Sequence, residues 1–250
     1  MRRAWYLGIT ADEVAARCIL VGDPARVDLF ASDLDGAHLV SQERGLRTVT
    51  GTRGGVPVTV SAFGMGAPIA AVVLEELVAL GARVVLRAGT AMAVGPQLGT
   101  PLGAFVVAQA ALRGESTSNT YAPLGFPAAA DPELNGHIVA ELNRRKAPYR
   151  FGTLASFDGF YTELFAADET RRLAVEARLA DLRRLRVLAV DMETSVVLVA
   201  GAVLGVQAGS LCLVSVDGTS RARLDEAERR RGERQLVEVA LAAVVATPVD

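Results

Sequence analysis

Short, unbroken apolar runs alternate with helix-patterned stretches through most of the chain. Residues 18–22 (CILVG) read as a buried strand, and 25–34 as a helix. Residues 46–64 hold two strands joined at Gly54-Gly55, a hairpin signal. The stretch 69–81 (IAAVVLEELVALG) is patterned as a helix that ends on Gly81. Residues 83–89 and 104–112 are further strands, and 131–147 and 168–185 carry helical patterning. A strand running into a helix follows over 187–201, then a strand over 209–217 and a long helix over 222–246. Strands alternating with helices predict an α/β layer architecture. With no repeat, linker or low-complexity tract, residues 1–250 are expected to form one domain.

The run at 187–201, VLAVDMETSVVLVAG, is interrupted by Asp191 and Glu193. An unpaired carboxylate is costly to strip of water, so two acids inside an apolar run need partners. In VVLRAGT (84–90) the converse problem appears: Arg87 ends a fully apolar strand. A guanidinium so placed needs an anion, either a ligand at the carboxyl end of the strand or a buried acid such as Asp191 or Glu193. Both partners stay open at this point. VGDPARV (21–27) puts Gly22 and Arg26 where a strand passes into a helix, a place suited to an anion or simply to a turn. SAFGMGAP carries Gly64-x-Gly66 before a helix. Ile69 stands where a dinucleotide fingerprint needs a third small residue, and no acid follows at the right distance.

Composition narrows the class. Hydrophobic residues make up 51% and aromatics 5%, enough for a core built from Ala, Val and Leu. A net charge of −2 offers no global field for nucleic acid or for an anionic membrane. No run reaches the roughly 18 apolar residues of a membrane span, and no signal-peptide pattern opens the chain, so a cytoplasmic protein is expected. Cys18 and Cys212 lie in strand-like runs and read as reduced core residues. His38 and His137 lack ligand-spaced neighbours, so no metal site is expected. The arginines of 222–246 alternate with acids and read as a solvated face.

Taken in order, YLGIT (6–10), GDPARV (22–27), ERGLRTVTG (43–51), GMGAPIAAVVLEEL (64–77), LRAGT (86–90), YAPLGFPAAAD (121–131), FDGFY (157–161) and VDMET (190–194) resemble the nucleoside phosphorylase family of uridine phosphorylases, hexameric purine nucleoside phosphorylases and methylthioadenosine phosphorylases. The resemblance implies a three-layer α/β/α fold around a mixed, partly closed central sheet. It also implies phosphate-dependent cleavage of an N-glycosidic bond, giving a (deoxy)ribose 1-phosphate and a free base. Inorganic phosphate would be the co-substrate, with no cofactor. Gly22, Arg26, Arg44, Arg87 and Thr90 would hold phosphate, with Arg44 reaching in from a neighbouring subunit of a dimer or hexamer. Tyr6, Met65, Asp191, Met192 and Glu193 would hold the ribose, with Glu193 accepting from its hydroxyls. Phe160 and Met92 would face the base. Arg87, Glu193 and Asp217 would carry the catalysis, and Arg87→Ala would abolish turnover without disturbing the fold.

The chain also departs from that pattern. FYTELFAADET lacks the Gln-x-Arg pair that reads a uracil edge. In LVSVDG, Val216 stands where the purine enzymes carry their acid, and Asp217 follows one place later, on the opposite face unless a bulge re-aims it. Tyr6 stands where a histidine is common. The resemblance leans to the uridine branch, with the purine and methylthioadenosine branches as the alternative. A hydrolytic nucleosidase and a non-catalytic nucleoside-binding protein are the competing readings.

Overall fold

Nine strands and six helices carry the architecture of the computed structural model, which describes residues 3–166 and 168–249. In chain order they are β1 (Arg17–Val21), α1 (Pro24–Ala31), β2 (Asp35–Ser41), β3 (Thr48–Arg53), β4 (Val56–Ala62), α2 (Ala67–Ala79) and β5 (Val84–Ala93). Then follow β6 (Phe105–Gly114), α3 (Pro132–Arg144), β7 (Tyr149–Phe157), α4 (Glu169–Arg184), β8 (Ala189–Asp191), α5 (Thr194–Val203), β9 (Gln207–Asp217) and α6 (Glu226–Ala246).

The helix ends follow from local chemistry. Asp23 caps α1 by accepting from the Ala25 N–H, with Pro24 supplying a fixed φ in the first turn. Helix α2 stops at Ala79 because Gly81, at φ +116°, turns the chain back so that Ala82 N–H bonds to Leu77. Its buried face, including Val73, Leu74 and Leu77, packs on β1, each side chain contributing about 1.5–3 kcal/mol over exposure.

The sheet runs β2-β3-β4-β1-β5-β8-β7-β6-β9, and β9 pairs back onto β5. That second pairing closes β5, β8, β7, β6 and β9 into a five-stranded barrel and leaves β1–β4 as an open wing. This is the expected mixed, partly closed sheet. Strands β1, β4, β5 and β9 run parallel, so their carboxyl ends gather at one rim. Helices α1, α3 and α6 pack on one side of the sheet, and α2 and α5 on the other. Helix α4 covers the rim beside β8 through Val175, Leu179 and Leu182.

Two strands escape the hydrophobic pattern. β2 (DGAHLVS) is almost wholly exposed, and β7 (YRFGTLASF) is exposed over its first residues, so neither shows a continuous apolar run. Cys18 and Cys212 are free and fully buried, as their runs suggest. Burial raises the Cys18 thiol pKa to about 12.

Candidate active site

Arg87 sits mid-strand in β5, paired in register with Leu20 on β1 and Ser210 on β9. Its side chain lies along the strand toward the rim, and Gly89 makes that course available. A Cβ on Gly89 would come within 2.4 Å of Arg87 Nη1. Arg87 is 4% exposed, and its guanidinium meets three groups. Nη2 donates to Glu193 Oε2 at 2.5 Å, while Nη1 lies 3.2 Å from Asp191 Oδ2 and 2.9 Å from Cys212 Sγ. Burial alone would lower the Arg87 pKa, but the Asp191 and Glu193 carboxylates outweigh it and the net shift is upward. Arg87 is therefore charged throughout the working pH range. Burial likewise raises the Cys212 thiol pKa, against the opposing pull of Arg87, and keeps it protonated.

The two acids of VDMET thus share one cation, but they differ in what else they do. Asp191 accepts from Ser156 Oγ at 2.6 Å, from the Thr194 hydroxyl and from the Thr194 N–H at the start of α5. Both its oxygens are engaged within the protein, where they brace Arg87 and the start of α5. Glu193 turns its other oxygen to the Gly66 N–H at 2.7 Å. Gly64 and Gly66, at φ +85° and +100°, shape the loop that presents this donor. The glycine pair read as weakly dinucleotide-like serves a carboxylate instead.

A cleft of about 560 Å³ opens over these groups at the rim. Of the residues expected from sequence, Gly22, Arg26, Met65, Arg87, Thr90, Met92, Phe160, Asp191, Met192 and Glu193 all line it. Gly22 directly follows β1, Arg26 lies on α1, and Arg87 and Thr90 lie on β5. A Cβ on Gly22 would lie 2.9 Å from the Gly64 carbonyl, so glycine is needed where the two loops meet. Arg26 is 6% exposed and pairs with Glu233 of α6 at 3.2 Å. Phe160 lies in a one-turn π-helix (Phe160–Leu164) and is stacked on Phe165, whose ring also meets the guanidinium groups of Arg221 and Arg223. Around Phe160 the wall is apolar: Met92, Leu164, Val190 and Val216.

Three expected residues lie elsewhere. Strand β9 carries a bulge at Ser215, because Val214 pairs with Ala91 and Val216 with Met92. The bulge brings Ser215 and Val216 to the cleft but leaves Asp217 outside its lining. Asp217 Oδ1 instead accepts from the N–H groups of Thr219 and Ser220 and from the Ser220 hydroxyl, holding the β9–α6 turn. Asp217, expected to take part in catalysis, thus lies outside the cleft lining with its carboxylate bonded into a turn. Tyr6 and Arg44 also lie off the cleft, with the Arg44 guanidinium 5.1 Å from the Tyr6 ring centroid. Conversely, Ser215, Arg229 and Glu233 line the cleft unannounced. The only signal of the last two was one arginine–glutamate pattern among many in α6.

Fold and cleft together define a class: an α/β enzyme with its site at the carboxyl rim of a partly closed sheet. The chain belongs to the phosphorylase superfamily, whose family model matches residues 16–247. It is 32% identical to a uridine phosphorylase of Thermococcus kodakarensis over 242 residues, covering 96% of this chain and 85% of that one. It is 31% identical to a guanosine phosphorylase of Halorubrum lacusprofundi, covering 87% and 84%. A solved uridine phosphorylase from Vibrio fischeri superimposes with a TM-score of 0.87 at 28% identity, covering 99% of both chains.

Proposed function

We propose that this chain is a nucleoside phosphorylase that cleaves the N-glycosidic bond of a nucleoside with inorganic phosphate, leaning to uridine, and that it uses no cofactor. The observation that carries the reading is the shared cation. One buried guanidinium, Arg87, lines the cleft and is held there by the carboxylates of Glu193 and Asp191.

In this reading Arg26, Arg87 and Thr90 hold phosphate beneath C1′, with guanidinium donors matched to its oxygens. Glu193 accepts from the ribose hydroxyls, and Met65 and Met192 flank the sugar. A phosphate oxygen forms the new bond to C1′ as the C–N bond breaks, and the base leaves with the bonding electron pair. The transition state is oxocarbenium-like, so carboxylates close to the sugar stabilise its positive charge. Phe160 and Met92 pack on the base. Because Leu164, Val190 and Val216 share that wall, the base is selected by stacking and shape more than by hydrogen bonds to its edge.

The lean to uridine rests on the relatives named uridine phosphorylase and on the position of Asp217, which leaves the purine enzymes' acid without a counterpart in the cleft. The guanosine phosphorylase relative supports the purine alternative. The enzyme is further proposed to be cytoplasmic; among the described residues, no helix is long and apolar enough to cross a membrane. Tyr6 and Arg44, together on the surface and off their own cleft, support a dimer, within a hexamer, in which each subunit completes its neighbour's site.

Base release from uridine, thymidine, inosine, adenosine and methylthioadenosine, with and without phosphate, tests the proposal. Phosphate-dependent release, fastest with uridine, is expected. Release independent of phosphate would identify a hydrolase.

A further inference from the structure

Behind Arg26 lies a second cavity of about 520 Å³, between α1 and α6. Its polar lining is Asp23, Arg26, Arg229, Arg230, Glu233 and Arg234, four cations against two acids. The acids are largely committed. Asp23 caps α1, and Glu233 is paired with Arg26. Arg230 pairs with Glu226 on the exposed face of α6. Arg229 and Arg234 have no ion pair among the described residues. Arg26 itself is buried with its Nε unpartnered among the described residues, so its capacity for an acceptor is not exhausted by Glu233. The groove and the catalytic cleft share Asp23, Arg26, Arg229 and Glu233, and so meet at the guanidinium assigned to phosphate.

We propose that this α1–α6 groove is a second oxyanion subsite, contiguous with the cleft through Arg26, which gathers inorganic phosphate and delivers it to the catalytic position. The proposal rests on the phosphorylase reading. A chain with net charge −2 has no global attraction for a dianion, so a local concentration of arginines is what can raise its encounter rate. Glu233 fits the same role. It holds the Arg26 guanidinium in place between the two cavities, and an incoming phosphate exchanges with it for the same donor.

Arg234 lines the groove and not the cleft, which makes it the residue to substitute. The enzyme with Arg234→Gln should show a KM for phosphate raised by roughly five- to tenfold at low ionic strength. The nucleoside KM and the kcat at saturating phosphate should stay within about twofold. The difference from the unsubstituted enzyme should shrink as salt screens the groove, and Arg234→Lys, which keeps the charge, should restore the phosphate KM. Unchanged phosphate KM in Arg234→Gln, with phosphate dependence intact, would overturn the subsite and leave the phosphorylase reading standing. A fall in kcat with no change in phosphate KM would overturn it too, since the residue would then act on the chemistry or the fold. Base release that needs no phosphate in the unsubstituted enzyme would remove the phosphorylase reading, and this proposal with it.

Discussion

Arg87 donates to Glu193 across 2.5 Å, although 106 residues of chain separate them. The contact joins β5 to the start of α5, and Asp191, two residues before Glu193, closes on the same guanidinium at 3.2 Å. Two carboxylates on one buried cation leave the cluster with an excess negative charge. The proposed phosphate site at this end therefore needs further cations, of which Arg26 is in the cleft and Arg44 is proposed to come from a neighbour.

Removing Arg87 should cost stability as well as turnover, contrary to the expectation from sequence alone. Arg87→Met leaves Asp191 and Glu193 buried without their cation, and unfolding in urea should show a loss of about 3–5 kcal/mol. Adding Asp191→Asn and Glu193→Gln to the same chain should recover part of that loss and none of the activity. A single Arg87→Met as stable as the unsubstituted protein would refute the buried triad.

Glu193→Gln keeps the shape of the side chain but removes a charged acceptor. Loss of a charge-assisted hydrogen bond of about 1.5–3 kcal/mol predicts a fall of roughly 10- to 100-fold in kcat/KM for the nucleoside. Steady-state kinetics at saturating phosphate read this directly. An unaltered kcat/KM would take Glu193 out of the sugar site.

Gly89→Ala tests the course of the Arg87 side chain. The added methyl would collide with the guanidinium, which its two carboxylates prevent from moving aside freely. Phosphate-dependent activity should fall by at least about tenfold while the circular dichroism spectrum is retained, since a small overpacking strain costs about 1–3 kcal/mol. Full activity in this variant would show that the guanidinium has room the structure does not display.

Mixing tests the shared site. Arg44→Ala and Glu193→Gln should each be impaired alone, by roughly 10-fold or more in kcat/KM. Subunits of the two exchanged into one oligomer should regain activity, because an intact cleft then meets an intact Arg44. Failure of the mixture to exceed either parent, with exchange verified by mass, would place Arg44 outside the site.

Thiol chemistry tests the interior. Cys18 titrates at about 12 because it is buried, and Cys212 is likewise raised. At neutral and mildly alkaline pH the Cys18 thiol therefore stays protonated. Folded protein should show no reaction with a maleimide between about pH 7 and 9, and both thiols should react in denaturant. Rapid labelling of the native protein would contradict their burial.

Much of this architecture was legible in the sequence because unbroken apolar runs mark buried parallel strands. β1, β5 and β9 were found that way, and so was the puzzle of Asp191 and Glu193. What the pattern hid has physical causes. β2 has almost no buried face, so it leaves little periodic trace. The bulge at Ser215 is a matter of pairing with Ala91 and Met92, and no property of SVDG alone decides whether Val216 or Asp217 turns inward. Glu233 and Arg229 belong to an exposed, charge-alternating helix turn, and only its packing beside α1 singles them out. The resemblance named Asp191 for the sugar, but Ser156 and Thr194, which occupy its oxygens, come from β7 and α5.

Strand β5 is held by three neighbours, and its last partner, β9, matches Val84 with Gln207. A chain emerging from the ribosome lays down Arg26, Arg87 and both acids before that partner exists. Non-local closure of this kind is slow compared with helix formation. Barrel closure, the packing of Cys212 against Arg87 and the arrival of Glu233 at Arg26 all await the same late segment, so the nascent chain holds Arg26, Arg87, Asp191 and Glu193 before the cleft they line is complete. Folding, for this protein, is also the step that switches the enzyme on.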